Sequence, residues 1–463
     1  MKFLSALLFI FFFSFLFSQD ITGDWHGKLD VNGMPLRVVF HISKVENTYS
    51  STMDSPDQNA FGIPITSTAF SENTLTIISK EMSATYTATF IENKFEGVFD
   101  QMNNKMPLIL SREALDKTVI NRPQEPKPKF NYVMEEVKFT NSKDSVTLAG
   151  TLTLPKGKGP FPVAILISGS GPQDRNEEIL GHKPFLVIAD YLTNNGIAIL
   201  RYDDRGSFES TGDFSTATSL DFARDVEAAV AFLKTKKNIH PKKIGLIGHS
   251  EGGLIAPIVA SRTENEIAFL ISLAGPGISG KEIIIMQQEL ISRAEGMSEE
   301  EIAENTLWST KVFQFMEQNL TSTTLDSDLK QFIIQTNEEL EIEIPEEKTA
   351  EEVAQSQFDA ISGPWMKYFL FYNPTDAWEK VTCPILALNG EKDLQVPVNE
   401  NLNAIKESTA SNKNVTIVPL ANLNHLFQTS ETGSPSEYGK IEETFSEDVL
   451  KMMVKWLNEL KLD

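Results

Sequence analysis

The phrase GHSEGG (248–253) is the one place in the chain where Gly-x-Ser-x-Gly occurs. It follows an apolar run and precedes a helical one, so Ser250 is predicted at a strand-to-helix turn. A turn this tight strains its central residue and leaves no room for side chains two positions either side, while the hydroxyl projects above the sheet. A serine hydroxyl is a poor nucleophile until a base removes its proton, so the reading demands a histidine and an acid later in the chain. Of the histidines at 26, 41, 182, 240, 249 and 425, only His425, in the phrase ANLNHLF, lies downstream of Ser250. Asp393, in NGEKDLQVP, is the favoured acid because it follows a predicted strand; Asp359 and Asp376 compete but follow none. His249 is expected to pack beneath the turn, and Pro257 is out of place in the following helix. An oxyanion hole needs two backbone N–H groups. One is assigned to Glu251, the residue after the nucleophile, and the other to the loop SGSGPQDRN (168–176), with Ser170 chosen and Gly169 or Gly171 as alternatives.

These residues need a sheet to hold them. The runs PVAILIS (162–168), IAILRYD (197–203), KIGLIG (243–248), AFLISLAG (268–275), PILALNG (384–390) and VTIVPL (415–420) have the continuous apolar character of strands covered on both faces. Helical stretches separate them; in 220–236, Leu220, Ala223, Val226, Val230 and Leu233 fall on one stripe. This alternation predicts an α/β fold, a doubly wound and mostly parallel sheet, with segments near Val137 and at 146–154 as an antiparallel edge. The interval of about 278–378 breaks the pattern with helix and loop and carries capping-box signatures at Ser298/Glu301 and Thr349/Glu352. It is predicted to be a helical lid over the C-terminal edge of the sheet, where ligands of open α/β sheets bind. Its acidic runs, 299–301 and 338–343, read as solvated helix faces. The lid aromatics Trp365, Tyr368 and Phe369 are candidates for a substrate pocket, against the plainer reading that they are helix core.

Residues 19–113 read differently. Leu36, Val38, Phe40 and Ile42 alternate with Arg37, Val39, His41 and Ser43, Tyr86, Ala88 and Phe90 alternate with threonines, and Asn32-Gly33 marks a hairpin turn. A small antiparallel β barrel or sandwich is expected, with His26 and His41 packed or solvent-facing rather than ligating. Residues 114–130, with Pro123, Pro126 and Pro128, read as a linker, leaving 131–463 as the catalytic domain. At the start, Lys2 precedes the apolar run 3–17 and Ser18 ends it, the pattern of a secretory signal peptide over residues 1–18. The run is short for a bilayer core, which needs about 20 apolar residues, so export to a bacterial periplasm or beyond, with no stable membrane span after cleavage, is expected. A net charge of −23 leaves no broad basic surface for nucleic acid. The lone Cys383 excludes an intramolecular disulfide and a cysteine metal cluster; no metal and no cofactor are expected.

From about Val137 onward the phrases SGSGPQDRN, RYDDRGSFESTGDF (201–214), GHSEGG, GPWMKYFLFYNP (363–374), NGEKDLQVP and NLNHLF together resemble an α/β-hydrolase of the bacterial esterase and serine-aminopeptidase-like branch. The resemblance implies that Ser250, Asp393 and His425 are catalytic and that Asp203 and Arg205 form an ion pair holding a loop. The phrase GSFES (206–210) departs from the usual pattern, which has a further glycine. The β region, opening with Gly-Asp-Trp at 23–25, resembles the N-terminal domain of some two-domain secreted hydrolases. The implied activity is hydrolysis of small carboxylic esters through an acyl-enzyme. A peptidase on short peptides, with Glu251 and the acidic lid holding an amino group, is the first alternative; a non-catalytic glycan- or lipid-binding protein is the second. The sequence does not specify an oligomeric state.

Overall fold

In the computed structural model the chain divides into two compact units, Met1–Val119 and Ile120–Asp463. The structure describes residues 20–460 apart from 32–33, 47, 59, 81, 83, 102–103, 117–120, 263–266 and 346–347. The segment read as a signal peptide and the Asn32-Gly33 turn lie outside the described residues. Among those described, no helix is long and apolar enough to cross a membrane.

The first unit is an antiparallel sheet of nine strands: β1 (Gly23–Val31), β2 (Met34–Val45), β3 (Thr48–Ser55), β4 (Ala60–Pro64), β5 (Ser67–Ser71), β6 (Thr74–Ser79), β7 (Ala84–Ile91), β8 (Lys94–Gln101) and β9 (Asn104–Leu110). The order is β1-β2-β3-β5-β6-β7-β8-β9, with β4 paired to β3. The end strands meet where His26 and Ser111 exchange two backbone hydrogen bonds of 2.8 and 2.9 Å, so the sheet curls round on itself. Period-two alternation sends Val38, Phe40, Ile42, Tyr86 and Ala88 inward. The interior is filled by fully buried aromatics: Trp25 donates its indole N–H to the Ile21 carbonyl at 2.8 Å and meets Phe95 edge-on at 4.5 Å. Arg112 caps this cluster, 3.8 Å over the Trp25 ring. His41 is neither packed nor free: its ring nitrogens lie 2.7 and 2.9 Å from Asp24 and Asp54, whose carboxylates hold the imidazole above its ordinary pKa.

The second unit is built on β10 (Tyr132–Asn141), β11 (Val146–Pro155), β12 (Phe161–Ile167), β13 (Ala198–Tyr202), β14 (Ile239–His249), β15 (Leu270–Leu273), β16 (Ile385–Gly390) and β17 (Val415–Leu420), in the order β10-β11-β13-β12-β14-β15-β16-β17. The first two are antiparallel additions and all pairings from β13 to β17 are parallel, the doubly wound sheet expected from the alternation. The chain leaves β12 for β13 on one side and returns to β14 on the other. This places a topological switch point between the C-terminal ends of β12 and β14. Helices α1 (Pro184–Asn194), α2 (Ser219–Lys234) and α3 (Glu251–Arg262) cover the faces, α3 running through Pro257 without ending there. Ala223, Val226, Val230 and Leu233 of α2 are buried on one sheet face.

The lid consists of α4 (Gly280–Ala294), α5 (Glu299–Gln318), α6 (Leu325–Glu339), α7 (Ala350–Ser362) and α8 (Pro364–Phe371). It has its own small core of Val312, Phe313, Met316, Leu329, Ile333 and Leu370. Ser298 and Thr349 cap α5 and α7 in reciprocal boxes with Glu301 and Glu352. Part of the 299–301 acidic run therefore does local work: Glu301 closes the cap and Glu299 pairs with Arg293, both placed favourably at a helix N-terminus. After the lid come α9 (Thr375–Trp378), α10 (Val398–Ser408), α11 (Pro435–Tyr438) and α12 (Glu447–Glu459). The last of these buries Val449, Leu450, Met453 and Leu457 on the opposite sheet face.

The stretch read as a linker is fastened down over its described middle. Arg122 donates to the carbonyls of Leu180, Gly439 and Ile441, and the Gln124 amide bonds Phe445 in both directions. Prolines signal an extended backbone but not what binds it. Nearby, His182 is fully buried; its Nε2 lies 2.9 Å from Tyr438 O and 3.0 Å from Gln428 Nε2, and its Nδ1 lies 3.0 Å from Thr444 Oγ1, placed to accept from that hydroxyl. That arrangement fits a neutral ring, and burial, reinforced by the Arg122 charge, pushes its pKa down to about 4. An unfolded imidazole titrates near 6.5, so this stabilisation is complete above that pH and fades as pH falls towards about 4. Urea unfolding at pH 7 and pH 4.5 is therefore expected to show a smaller loss of midpoint on acidification in His182→Gln than in the native chain.

Candidate active site

Ser250 occupies the single residue between β14 and α3, with φ +52°, a left-handed conformation that costs a non-glycine residue about 1–2 kcal/mol. Its own N–H donates to Leu273 O at 2.9 Å, and its carbonyl accepts from Gly253 N at 2.8 Å. The flanking glycines are required by close approach. A Cβ on Gly252 would sit 2.0 Å from Ile167 O, and one on Gly248 would sit 2.0 Å from Gly252 O.

Asp393 lies in the loop after β16 and His425 in the loop after β17. The structure brings them together: His425 Nδ1–H donates to Asp393 Oδ2 at 2.8 Å, while Asp393 Oδ1 accepts the N–H groups of Gln395 and Val396, each at 2.8 Å. Both side chains are nearly inaccessible. With Nδ1 protonated and oriented by the carboxylate, Nε2 keeps its lone pair for a proton. The two loops can approach because residue 390 is glycine; a Cβ there would lie 2.1 Å from Leu423 O. Asp359 and Asp376 bond instead to Gln355 and Asn373 on lid and post-lid elements. The Ser250 hydroxyl makes no hydrogen bond among the described residues, and catalytic hydrogen bonds often tighten only when substrate is bound.

Opposite Ser250 is the loop that follows β12. Gly169 approaches it closely, its ideal Cβ position lying 3.1 Å from Ser250 Cβ. The Gly169 N–H is already committed to Glu177 Oε1 at 2.7 Å, which removes it as an oxyanion donor. The amides of Ser170 and Glu251 donate to no protein acceptor among the described residues. The loop is held by neighbouring acids. Buried Asp204 accepts from Ser168 Oγ at 2.7 Å and Gln173 N at 3.0 Å; burial, with Glu251 and Glu177 near, raises its pKa well above the usual carboxylate range despite those bonds. Asp203 accepts the Arg175 N–H at 2.8 Å and its guanidinium at 2.7 and 3.0 Å.

This corrects the expected Asp203–Arg205 pair. Arg205 turns the other way, to Asp225 at 2.7 Å and Asp144 at 2.8 Å, and braces α2 against the β10–β11 turn. β13 ends at Tyr202, and past it the strand's two-residue alternation no longer holds, so residues 203 and 205 do not share a side. At the departure GSFES, Phe208 sits at φ +48° and is 73% exposed, a left-handed position that glycine would occupy without strain.

The lid residues divide. Trp365 donates its indole N–H to Glu251 Oε1 at 2.8 Å and stacks on Phe369, centroids 5.2 Å apart. Phe369 is buried in the main core, and Tyr368 stacks on Tyr372 with its hydroxyl buried and unpartnered. Of the three, Trp365 is the one that hydrogen-bonds the residue beside Ser250. Glu251 also accepts from Ser219 Oγ at 2.6 Å; burial raises its pKa, and the two hydrogen bonds only partly counter this. His249 was expected merely to pack; it bonds Glu177 and the His425 carbonyl. No local spacing announces that partner, 72 residues upstream.

A family model described as X-Pro dipeptidyl-peptidase (S15 family) matches residues 144–426, more than half of the chain. The chain belongs to that family. It is a serine hydrolase with the α/β-hydrolase fold. Esterase EstD of Thermotoga maritima is 27% identical over 315 residues, covering 66% of this chain and 66% of EstD. Among solved structures, the α/β hydrolase GrgF from Penicillium sp. sh18 is 19% identical with a TM-score of 0.45, covering 71% of this chain and 98% of its own. Est1E from Butyrivibrio proteoclasticus, solved with ferulic acid, is 19% identical with a TM-score of 0.40, covering 70% and 98%. The S15 match contains Ser250, Asp393 and His425 and leaves the β unit outside it. Within the S15-family unit, Gly252→Ala is expected to cost about 1–3 kcal/mol, since the added methyl would force apart two backbones rather than flexible side chains. Thermal unfolding should show the loss; an unchanged melting temperature would mean the elbow has slack.

Proposed function

We propose that this protein is an exported serine carboxylesterase acting on small esters through an acyl-enzyme. The observation that carries the reading is the Asp393–His425 hydrogen bond presented at the sheet rim that carries the strained Ser250. Ser250 Oγ passes its proton to His425 Nε2 as the Oγ–carbon bond forms. The carbonyl electron pair moves onto oxygen, facing the N–H groups of Ser170 and Glu251. Collapse of this intermediate breaks the carbon–oxygen bond to the alcohol, which leaves with the proton from His425. Water then attacks the acyl-enzyme, gives its proton to His425, and Ser250 recovers it.

The likeness to EstD supports an ester; the family description supports a peptidase as the second reading. Glu251 weighs against amine capture. One of its oxygens is occupied by Ser219 and Trp365, and burial favours its neutral form, which is a weak partner for an ammonium group. The acyl pocket proposed here includes Trp365; Tyr368 and Phe369 belong to the packing behind it. Export rests on the residue pattern of the first 18 positions.

A fluorophosphonate probe is expected to label Ser250 alone, and Ser250→Ala to abolish labelling and turnover. Asp393→Asn should lower kcat about 10⁴-fold, the loss seen when such an aspartate no longer fixes the tautomer. Across p-nitrophenyl esters and aminoacyl p-nitroanilides, kcat/KM should favour short esters; dominant anilide turnover would reverse the order of the two readings. N-terminal sequencing of the exported protein should begin at Gln19, and a mature chain starting at Met1 would overturn the export proposal.

A further inference from the structure

Behind the nucleophile lies a second acid–histidine pair that the acyl-transfer steps leave unused. Glu177 and His249 are both almost wholly buried. Glu177 Oε1 accepts the Gly169 N–H at 2.7 Å and lies 2.9 Å from His249 Nδ1. The far side of the same imidazole, Nε2, is 3.0 Å from the backbone carbonyl of His425. A carbonyl can only accept, so Nε2 carries a hydrogen; Oε1 already accepts one N–H and is placed to accept a second from Nδ1.

The positions joined are the informative part. Gly169 immediately precedes the proposed oxyanion amide of Ser170. His249 immediately precedes Ser250. His425 is the proposed base, its ring 4.9 Å from that of His249. Three segments from the ends of three different strands, β12, β14 and β17, are thereby linked by one chain of hydrogen bonds. We propose that Glu177 and His249 are positioning residues, a rear relay that couples the oxyanion loop, the nucleophile turn and the general base into one rigid unit. The proposal rests on the catalytic roles given above to Ser170, Ser250 and His425.

The charge state fits. Burial opposes a charge on His249, but the Glu177 carboxylate, the His425 carbonyl and the Asp393 charge outweigh it and raise the imidazole pKa. A doubly protonated ring donates at both ends, as the relay requires. Burying such a pair is costly, and removing one partner leaves the other uncompensated, so its place directly under the reacting centre calls for a role there.

The test uses the full-length protein, with kcat expressed per site titrated by the fluorophosphonate so that unfolded molecules do not count. Glu177→Gln and His249→Gln are each expected to lower kcat about 10²-fold, the order associated with losing one oxyanion donor, with KM for a short p-nitrophenyl ester within about twofold. Binding of an alkyl boronic acid, a tetrahedral mimic, should weaken by the same factor as kcat/KM. The double variant should be no worse than the more damaged single one, because the two act as a unit. A merely structural role would lower the melting temperature and the titratable fraction while leaving kcat per site and boronate affinity unchanged, and that result overturns the relay. Should either variant fail to fold, ¹⁵N-histidine spectra of the native protein decide. An imidazole with both nitrogens protonated that persists both in His41→Gln, which removes the ring held between Asp24 and Asp54, and in His425→Gln supports the relay, and its absence overturns it. Failure of the probe to label Ser250 would instead defeat the underlying catalytic reading.

Discussion

The catalytic unit depends on one contact between two stretches of backbone, the first turn of α3 lying against the last carbonyls of β12. Gly252 comes so close to Ile167 O that no side chain fits, and this packing leaves Ser250 in a left-handed conformation. The strain is of the order of 1–2 kcal/mol, comparable to the ~1.5–3 kcal/mol gained by burying a single large aliphatic side chain. Ile165, Ile167, Leu246 and Ile247, all buried in the surrounding strands, supply several such contributions. The elbow is thus affordable only within a sheet covered on both faces. Because β12 and β14 are neighbours, the same contact also lays the loop after β12 against Ser250.

That loop has little regular structure, and carboxylates hold it. Asp203, Asp204 and Glu177 each accept a different backbone N–H of the segment, from Arg175, Gln173 and Gly169 respectively. Three such anchors fix a loop whose glycines would otherwise leave it free to vary. The two sequence phrases SGSGPQDRN and RYDDRG are therefore halves of one object: the first presents the amide, and the second supplies two of the three acids that immobilise it.

Much of this was legible in the residues. The parallel strands announce themselves because both faces are covered, so PILALNG and VTIVPL are apolar throughout. Only one histidine follows Ser250, which fixes His425 as the candidate base. The helical lid is visible as an interruption of the strand–helix alternation, and its caps follow from Ser298 and Thr349 standing three residues before a glutamate. What stayed hidden are partnerships that depend on where a loop turns. Asp203 and Arg205 are two apart and of opposite charge, yet they lie past the end of β13, where strand alternation no longer holds, and pair with Arg175 and Asp225 instead. His249 looked like filler because its neighbour in sequence is the conspicuous one, whereas its partners come from positions 177 and 425. The fastening of Arg122 and Gln124 was equally invisible, since carbonyls on other loops leave no trace in residue type.

The curling of the N-terminal sheet has a bearing on recognition. Where β1 and β9 join through His26 and Ser111, the main-chain donors and acceptors at the meeting point are spent on each other. A flat ribbon could enlist a foreign strand by lending it its unsatisfied border; at this bridge that border is already spent. With its inside occupied by Trp25, Phe40, Tyr86 and Phe95, the unit grips anything at that bridge through its outward-pointing side chains, so selectivity there would be written in residue identity rather than in backbone zippering.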